Sequence, residues 1–285
     1  MTAYSVGNAI REAGGRLAGV AESGPFEARL LLGKTLSRSK EWLHANPEAE
    51  FAPERAREFE NLVIRRARGC PLPYLLGEWA FYGRVFTVRE GVLIPRPETE
   101  LLVDHALAWA QMRNLSKTLK MLDVGTGSGC IAISLAAELP GSDVLGVDIS
   151  FPALEVAREN VERHRLANIR LARSDLLSLV TVPAGGFDLV CANLPYIPSW
   201  KLSGLLVADF EPLLALDGGP DGLALIRRLL DSLPGALTPG GLALLEIEAG
   251  QGQAVVGLAR DRFPGAGIEL HRDLAGRDRL VAVQT

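Results

Sequence analysis

The chain has 285 residues, of which 48% are hydrophobic and 22% are charged, and its formal net charge is -4 at pH 7. This composition is typical of a globular protein and excludes a largely disordered chain. No run approaches the roughly 18 apolar residues of a membrane span, and the first residues do not resemble a signal peptide. We therefore expect a cytoplasmic protein without a membrane partner. The negative charge argues mildly against a nucleic-acid backbone as the main partner, although it allows a local basic patch.

The cysteines and histidines predict neither a disulfide framework nor a metal site. Cys70, Cys130 and Cys191 are scattered and form no C-x-x-C pair, so we expect buried or incidental thiols. The four histidines show no ligand spacing either, and they are His44, His105, His164 and His271. We assign no metal to the protein.

The amino-terminal part of the chain predicts a small helical domain over residues 1–75. In residues 52–68, Ala56, Phe59 and Val63 recur at helical spacing, which is typical of an amphipathic helix. The helical patterns end at the Cys-Pro-Leu-Pro run of residues 70–73, because proline lacks the amide donor that a helix needs. Residues 76–95 are aromatic and β-branched with intervening glycines, and they predict a β-hairpin linker.

Residues 96–285 predict an α/β domain with a mostly parallel, seven-stranded, Rossmann-like sheet. Pro97 stands at a favourable first helical position. Beyond it, short apolar runs alternate with helical patterns, which is typical of parallel strands covered by helices. The last two strand-like runs are joined through Ala275 and Gly276. Such a close pair favours antiparallel strands at the carboxyl-terminal edge of the sheet.

A glycine-rich turn follows the first strand of this domain. Gly125, Gly127 and Gly129 lie in the segment LDVGTGSGCIA, between a strand and a helix. Glycine lets backbone amides approach a ligand next to the positive end of a helix. The turn alone is also compatible with an ordinary strand-to-helix connection.

Two acids at later strand ends make a nucleoside site the better interpretation. Asp148 and Asp175 each close a strand-like run, as Asn193 does further along the chain, and ligands of open parallel sheets bind beyond the carboxyl ends of the strands. A carboxylate at Asp148 is suited to the two hydroxyls of a ribose. The G-x-G-x-G spacing departs from the usual dinucleotide fingerprint, and it favours S-adenosyl-L-methionine as the cofactor.

The segment NLPY at residues 193–196 indicates how such a site would hold its acceptor. An amide nitrogen is a poor nucleophile, and the enzyme must align it with an activated methyl group. The Asn193 side-chain oxygen and a backbone carbonyl of the proline-containing segment can accept its two N–H hydrogens, while Tyr196 packs on the planar group.

At these motifs the sequence resembles the glutamine methyltransferases of peptide chain release factors, which belong to the S-adenosylmethionine-dependent methyltransferases. That family carries Asn-Pro-Pro-Tyr where this chain has leucine at position 194. The resemblance extends through YLLGEWAFYGRVFTV, LIPRPETELLV and LTPGGLALLEIEAGQG to the closing DLAGRDRLVAV. It implies a methyltransferase domain over residues 96–285 and a substrate-docking role for residues 1–75.

The resemblance also implies roles for individual residues. The loop from Gly125 to Gly129 would hold the methionine part of the cofactor, Asp148 the ribose, and Asp175 with Leu176 the surroundings of the adenine. Asn193 and the Leu194 carbonyl would hold the substrate amide. The implied catalytic residues are Asn193, Leu194, Pro195 and Tyr196, and the implied cofactor-binding residues are Gly125, Thr126, Gly127, Ser128, Gly129, Asp148, Asp175, Leu176 and Asn193.

The implied substrate is the glutamine of the Gly-Gly-Gln loop of a release factor. Two alternatives in the enzyme class stay open, namely glutamine methylation of a ribosomal protein and N-methylation of a nucleic-acid base, although we expect no direct nucleic-acid substrate. A protein that binds the cofactor without catalysis is the alternative from another class.

Overall fold

The computed structural model describes residues 4–112 and 118–285. Residues 1–3, in the predicted helical domain, and 113–117, in the predicted methyltransferase domain, lie outside the described residues. The chain divides into two compact units, Met1–Glu78 and Trp79–Thr285. Among the described helices, none combines the length and the apolar character needed to cross a membrane.

The first unit is built from short helices, as the sequence predicts. Helix α4 buries Ala56, Phe59 and Val63, which confirms the predicted amphipathic face. The Arg66 guanidinium, on the same helix, forms an ion pair with Glu27 at 2.6 Å, and both side chains are largely buried. The helices of this unit are α1 (Val6–Leu17), α2 (Gly24–Leu36), α3 (Lys40–Ala45), α4 (Pro53–Ala67) and α5 (Leu72–Leu76).

A two-stranded hairpin lies within the predicted linker. Strands β1 (Glu78–Phe81) and β2 (Arg84–Thr87) pair with each other. Tyr82 and Gly83 form the turn between them with φ values of 48° and 68°, the left-handed backbone that a tight hairpin turn needs. Phe81 and Phe86 are buried, and their rings lie 6.0 Å apart between centroids. These two aromatic residues therefore belong to the core.

The second unit contains a mixed seven-stranded sheet in the order β5-β4-β3-β6-β7-β9-β8. Strands β3 to β7 are parallel to their neighbours in this group, whereas β9 runs antiparallel to both β7 and β8. The predicted fold class and the antiparallel edge are confirmed. The strands are β3 (Lys120–Val124), β4 (Asp143–Asp148), β5 (Ile169–Arg173), β6 (Phe187–Ala192), β7 (Leu237–Glu246), β8 (Gly267–Arg272) and β9 (Asp278–Gln284).

Helices cover both faces of this sheet. They are α6 (Glu100–Gln111), α7 (Cys130–Glu138), α8 (Phe151–His164), α9 (Ser199–Leu202), α10 (Ala224–Ser232) and α11 (Gly252–Arg262). One apolar cluster joins Leu122 and Val190 to residues of α10 and α11, and the other joins Met121 and Leu189 to residues of α6 and α7. Adjacent strand residues thus enter opposite cores, because side chains alternate across a strand.

Two sequence-based strand ends need correction, whereas the helix start at Pro97 is confirmed. Strand β5 ends at Arg173 and β6 at Ala192, so Asp175 and Asn193 lie beyond their strands rather than at the last position. Pro97 begins a short 3-10 helix, Pro97–Thr99, which continues as an α-helix from Glu100. This short turn brings Thr99 into the interior, where it is 2% exposed.

Candidate active site

A cavity of about 500 Å³ lies at the carboxyl ends of the parallel strands, within the second unit. The loops that follow β3, β4 and β6 all contribute to it. The predicted site residues that line it are Gly125, Thr126, Gly127, Ser128, Asp148, Asp175, Leu176, Asn193, Leu194 and Pro195. Gly129 and Tyr196 are the predicted site residues outside this lining.

The glycine turn has the backbone that its sequence predicts. Gly125, Gly127 and Gly129 have φ values of 75°, 57° and 83°, a region that other residues rarely adopt. Gly129 precedes α7, and a Cβ there would lie 2.9 Å from the Ile133 side chain. Gly129 therefore serves helix packing, while Gly125 and Gly127 shape the wall of the cavity.

A buried acid beneath this turn was not predicted as a site residue. Asp123, which is 1% exposed, accepts hydrogen bonds from the Thr126 hydroxyl at 2.7 Å and from the Ala132 amide at 3.2 Å. Burial raises the pKa of Asp123 to about 7, and the nearby Asp148 adds to the rise. An acid inside an apolar strand, directly before a glycine turn, was the available sequence signal.

Asp148 is held in place by backbone amides at the end of β4. Its carboxylate accepts from the Gly127 amide at 2.9 Å and from the Ser150 amide at 2.8 Å. Burial raises its pKa, and these amides oppose that effect. The carboxylate thus links the glycine turn to the loop that follows β4.

The cavity is also lined by Asp175, Leu176 and Arg228. The Arg228 guanidinium donates to the Asp175 carboxylate at 2.7 Å, with both side chains about half exposed. Leu176 has a φ of 50°, which is strained for a residue with a side chain. The backbone here turns Leu176 toward the cavity at an energetic cost, as is common at binding sites.

Asn193 is oriented by a residue from the Pro97–Thr99 turn. Its Nδ2 group donates to the Thr99 hydroxyl at 3.0 Å. Because the nitrogen is engaged, Oδ1 is the part of the carboxamide left to accept a hydrogen bond from a substrate. Leu194 is 4% exposed, and its Cδ2 atom would contact a Cβ at Gly125 at 3.1 Å. The leucine side chain therefore packs against the glycine turn.

Contacts from elsewhere in the unit fix the backbone of the NLPY segment. The Gln251 side chain donates to the Tyr196 carbonyl at 2.9 Å. Gly222 approaches the same carbonyl so closely that a Cβ would lie 2.3 Å from its oxygen. The amide of Ile197 donates to the Leu216 carbonyl at 3.0 Å. These contacts restrain the segment at Tyr196 and Ile197, on the carboxyl-terminal side of Leu194.

A second cavity, of about 90 Å³, adjoins the first at Asn193, Leu194 and Pro195, and Tyr196 lines it. Burial raises the pKa of Tyr196 to about 12, so the phenol is neutral at pH 7. Asn193 thus lies between a large cavity and a small one, which suits the transfer of a group between two bound molecules. Among residues 4–112 and 118–285, no cluster of three or more metal-binding side chains is present.

The fold and this site define a methyltransferase, and a family model described as "Methyltransferase domain" matches residues 115–237. A second model, "PrmC N-terminal domain", matches residues 8–77. The chain is 44% identical to a release factor glutamine methyltransferase of Moorella thermoacetica, over 95% of each chain. It is 37% identical to that of Bacillus anthracis, over 88% of this chain and 89% of the relative.

The chain belongs to the release factor glutamine methyltransferase family. A solved methyltransferase from Pyrococcus furiosus shares the fold, with a TM-score of 0.50 and 17% identity over 82% of this chain and 98% of that one. The two release factor glutamine methyltransferases therefore confirm the family that the sequence motifs resemble.

Proposed function

We propose that this protein methylates the side-chain amide nitrogen of the glutamine in the Gly-Gly-Gln loop of peptide chain release factors, with S-adenosyl-L-methionine as the methyl donor. The observation that carries the proposal is the placement of Asn193. Its carboxamide lies between the two cavities and is engaged through Nδ2. The Asn193 Oδ1 atom is thus available as an uncharged acceptor for the uncharged amide group of the substrate glutamine.

The larger cavity has the features that S-adenosyl-L-methionine requires. The left-handed glycines open the wall next to the start of α7, where the methionine part fits. Asp148 would accept hydrogen bonds from the ribose hydroxyls, and Asp175 with Leu176, which also line the cavity, would lie near the adenine. When bound, this cofactor supplies an electrophilic methyl group on a sulfonium.

The residues of the NLPY segment would hold the substrate amide. Its two N–H hydrogens would be accepted by Asn193 Oδ1 and by the Leu194 carbonyl, which orients the nitrogen lone pair toward the donor cavity. Tyr196, neutral at pH 7, would pack against the planar group and exclude water. No charged base is needed before transfer, because the nitrogen would keep both hydrogens until the methyl group has passed to it from the sulfonium, leaving a neutral thioether, and one proton would then be lost to solvent.

The helical unit is proposed to dock the release factor, as the resemblance implies. A ribosomal protein as substrate is the competing proposal, and no observation on the site favours it. We propose no nucleic-acid substrate, since the chain is acidic overall. The cytoplasmic location stays a prediction.

The function is tested with labelled cofactor and purified acceptors. The acceptors are a release factor, the same factor with the loop glutamine replaced by alanine, a ribosomal protein and double-stranded DNA. Label on the intact release factor alone is expected. Label that persists after the glutamine is replaced, or that prefers the ribosomal protein, would contradict the proposal.

A further inference from the structure

Asn193 is hydrogen-bonded to one of two buried polar side chains for which the proposed chemistry has no role. Thr99 and Glu246 are each 2% exposed. Thr99 comes from the turn before α6, and Glu246 is the last residue of β7, beside the strand that leads into Asn193. Among the described residues, the Glu246 Oε2 atom has no hydrogen-bond partner. A buried carboxyl oxygen without a hydrogen-bond donor lowers the stability of the folded state, so its presence calls for an explanation.

The hydroxyl of Thr99 connects the acid to the asparagine. It accepts a hydrogen bond from Asn193 Nδ2 at 3.0 Å, so its single proton is directed to another acceptor. Glu246 is that acceptor: its carboxyl group forms a hydrogen bond with Thr99, and this bond lowers the pKa of Glu246. The order of donation is therefore from Asn193 to Thr99 to Glu246.

We infer that Thr99 and Glu246 are positioning residues that determine which end of the Asn193 carboxamide faces the substrate. This inference rests on the proposed function. With the chain of donation in place, Nδ2 is held inward and Oδ1 is presented to the substrate NH2 group. Without it, the carboxamide can turn over and present its own NH2, and two donors would then face each other.

The same arrangement makes the orientation depend on the protonation of Glu246. Burial raises the pKa of Glu246 to about 7. Of the charged groups facing it, Arg279 and Arg96 lower this pKa and Glu98 raises it. Tyr196 and Cys130 also face it, and both stay neutral because burial raises the pKa of each to about 12. A protonated Glu246 donates a hydrogen bond to the Thr99 oxygen. The Thr99 hydroxyl then donates to Asn193, which favours the orientation in which Oδ1 faces Thr99 instead of the substrate. Methyl transfer should therefore fall as the pH decreases through about 7.

The test compares Thr99→Val, which keeps the shape and removes the hydroxyl, with Thr99→Ser, which keeps the hydroxyl. At saturating cofactor and release factor, the valine variant should lose about 10- to 100-fold in kcat, as a misaligned reacting group does, with little change in KM. The serine variant should recover most of the rate. A valine variant within about threefold of wild type, or a serine variant as slow as the valine variant, would overturn the inference.

The pH profile supplies an independent measurement. Wild type should show a step in kcat near pH 7, and Glu246→Gln should show none between pH 6 and 8.5. This comparison decides the question even if the Thr99→Val variant does not fold. Asp123 also has a pKa raised to about 7, so a step that persists in Glu246→Gln would assign it to another group and overturn the role of Glu246.

Nuclear magnetic resonance separates this inference from the proposed function. The side-chain NH2 signals of Asn193, assigned by their loss in Asn193→Ala, should exchange slowly with solvent in wild type and Thr99→Ser, and faster in Thr99→Val. Equal exchange rates in all three would overturn the inference. A wild-type protein that labels no release factor but shows this exchange pattern would contradict the proposed function and leave the positioning of Asn193 by Thr99 supported.

Discussion

Replacing Asn193 by alanine should separate catalysis from stability. Removing one preorganised hydrogen-bond partner of a reacting group raises the free energy of the transition state by about 3–4 kcal/mol. We therefore expect kcat to fall about 10²- to 10³-fold. The folded state loses only the neutral hydrogen bond to Thr99 at 3.0 Å, worth about 1 kcal/mol, so Tm should fall by about 2–4 °C.

A second asparagine in the same unit is the matched control. Asn168 donates to the carbonyls of Ala136 at 3.0 Å and Leu139 at 3.3 Å, and it does not line the described cavities. Asn168→Ala leaves these carbonyls without that donor and should cost about 1–3 kcal/mol of stability. Its kcat, measured below its Tm, should equal that of wild type.

The assay is transfer of labelled methyl to a release factor at saturating concentrations of both substrates, with thermal unfolding followed in parallel. The reasoning is refuted if Asn193→Ala keeps kcat within about threefold of wild type. It is also refuted if Asn168→Ala lowers kcat as much as Asn193→Ala does, since the loss would then reflect a general weakening of the domain rather than the missing acceptor.

Three further substitutions test the surroundings of the site. Leu194→Pro should raise kcat by about two- to five-fold by restricting the segment before binding, and an unchanged or lower rate would count against that argument. Gly222→Ala places a Cβ 2.3 Å from the Tyr196 carbonyl oxygen at a φ of 78°, so Tm should fall by about 2–8 °C. In the control Gly250→Ala the new Cβ has no atom within 4 Å, so Tm should stay unchanged. Asp148→Ala should weaken cofactor binding by about 10- to 100-fold, from lost hydrogen bonds to a charged group; titration calorimetry showing unchanged affinity would remove its assignment to the ribose.

The local pattern of the chain was sufficient to predict the layered fold and a cavity at the carboxyl ends of its parallel strands. Alternating apolar runs and helical patterns predict parallel strands, and glycines or acids after such runs predict a crevice at one edge of the sheet. The amphipathic face of α4, the antiparallel edge and the cavity walls at Gly125 and Asp148 follow from these rules. The domain limits and the residue roles stay predictions.

Only the tertiary structure revealed what holds the Asn193 side chain. Thr99, Glu246 and Gln251 lie far from Asn193 in the sequence, and no spacing rule connects them. They meet because β7 lies beside β6 and because the turn before α6 packs over the same edge. Hydrogen bonds between side chains depend on distances within a few tenths of an ångström, and such distances are determined when the strands and loops pack together. Sequence patterns therefore specify the frame and its glycine turn, whereas the orientation of a carboxamide is decided by packing.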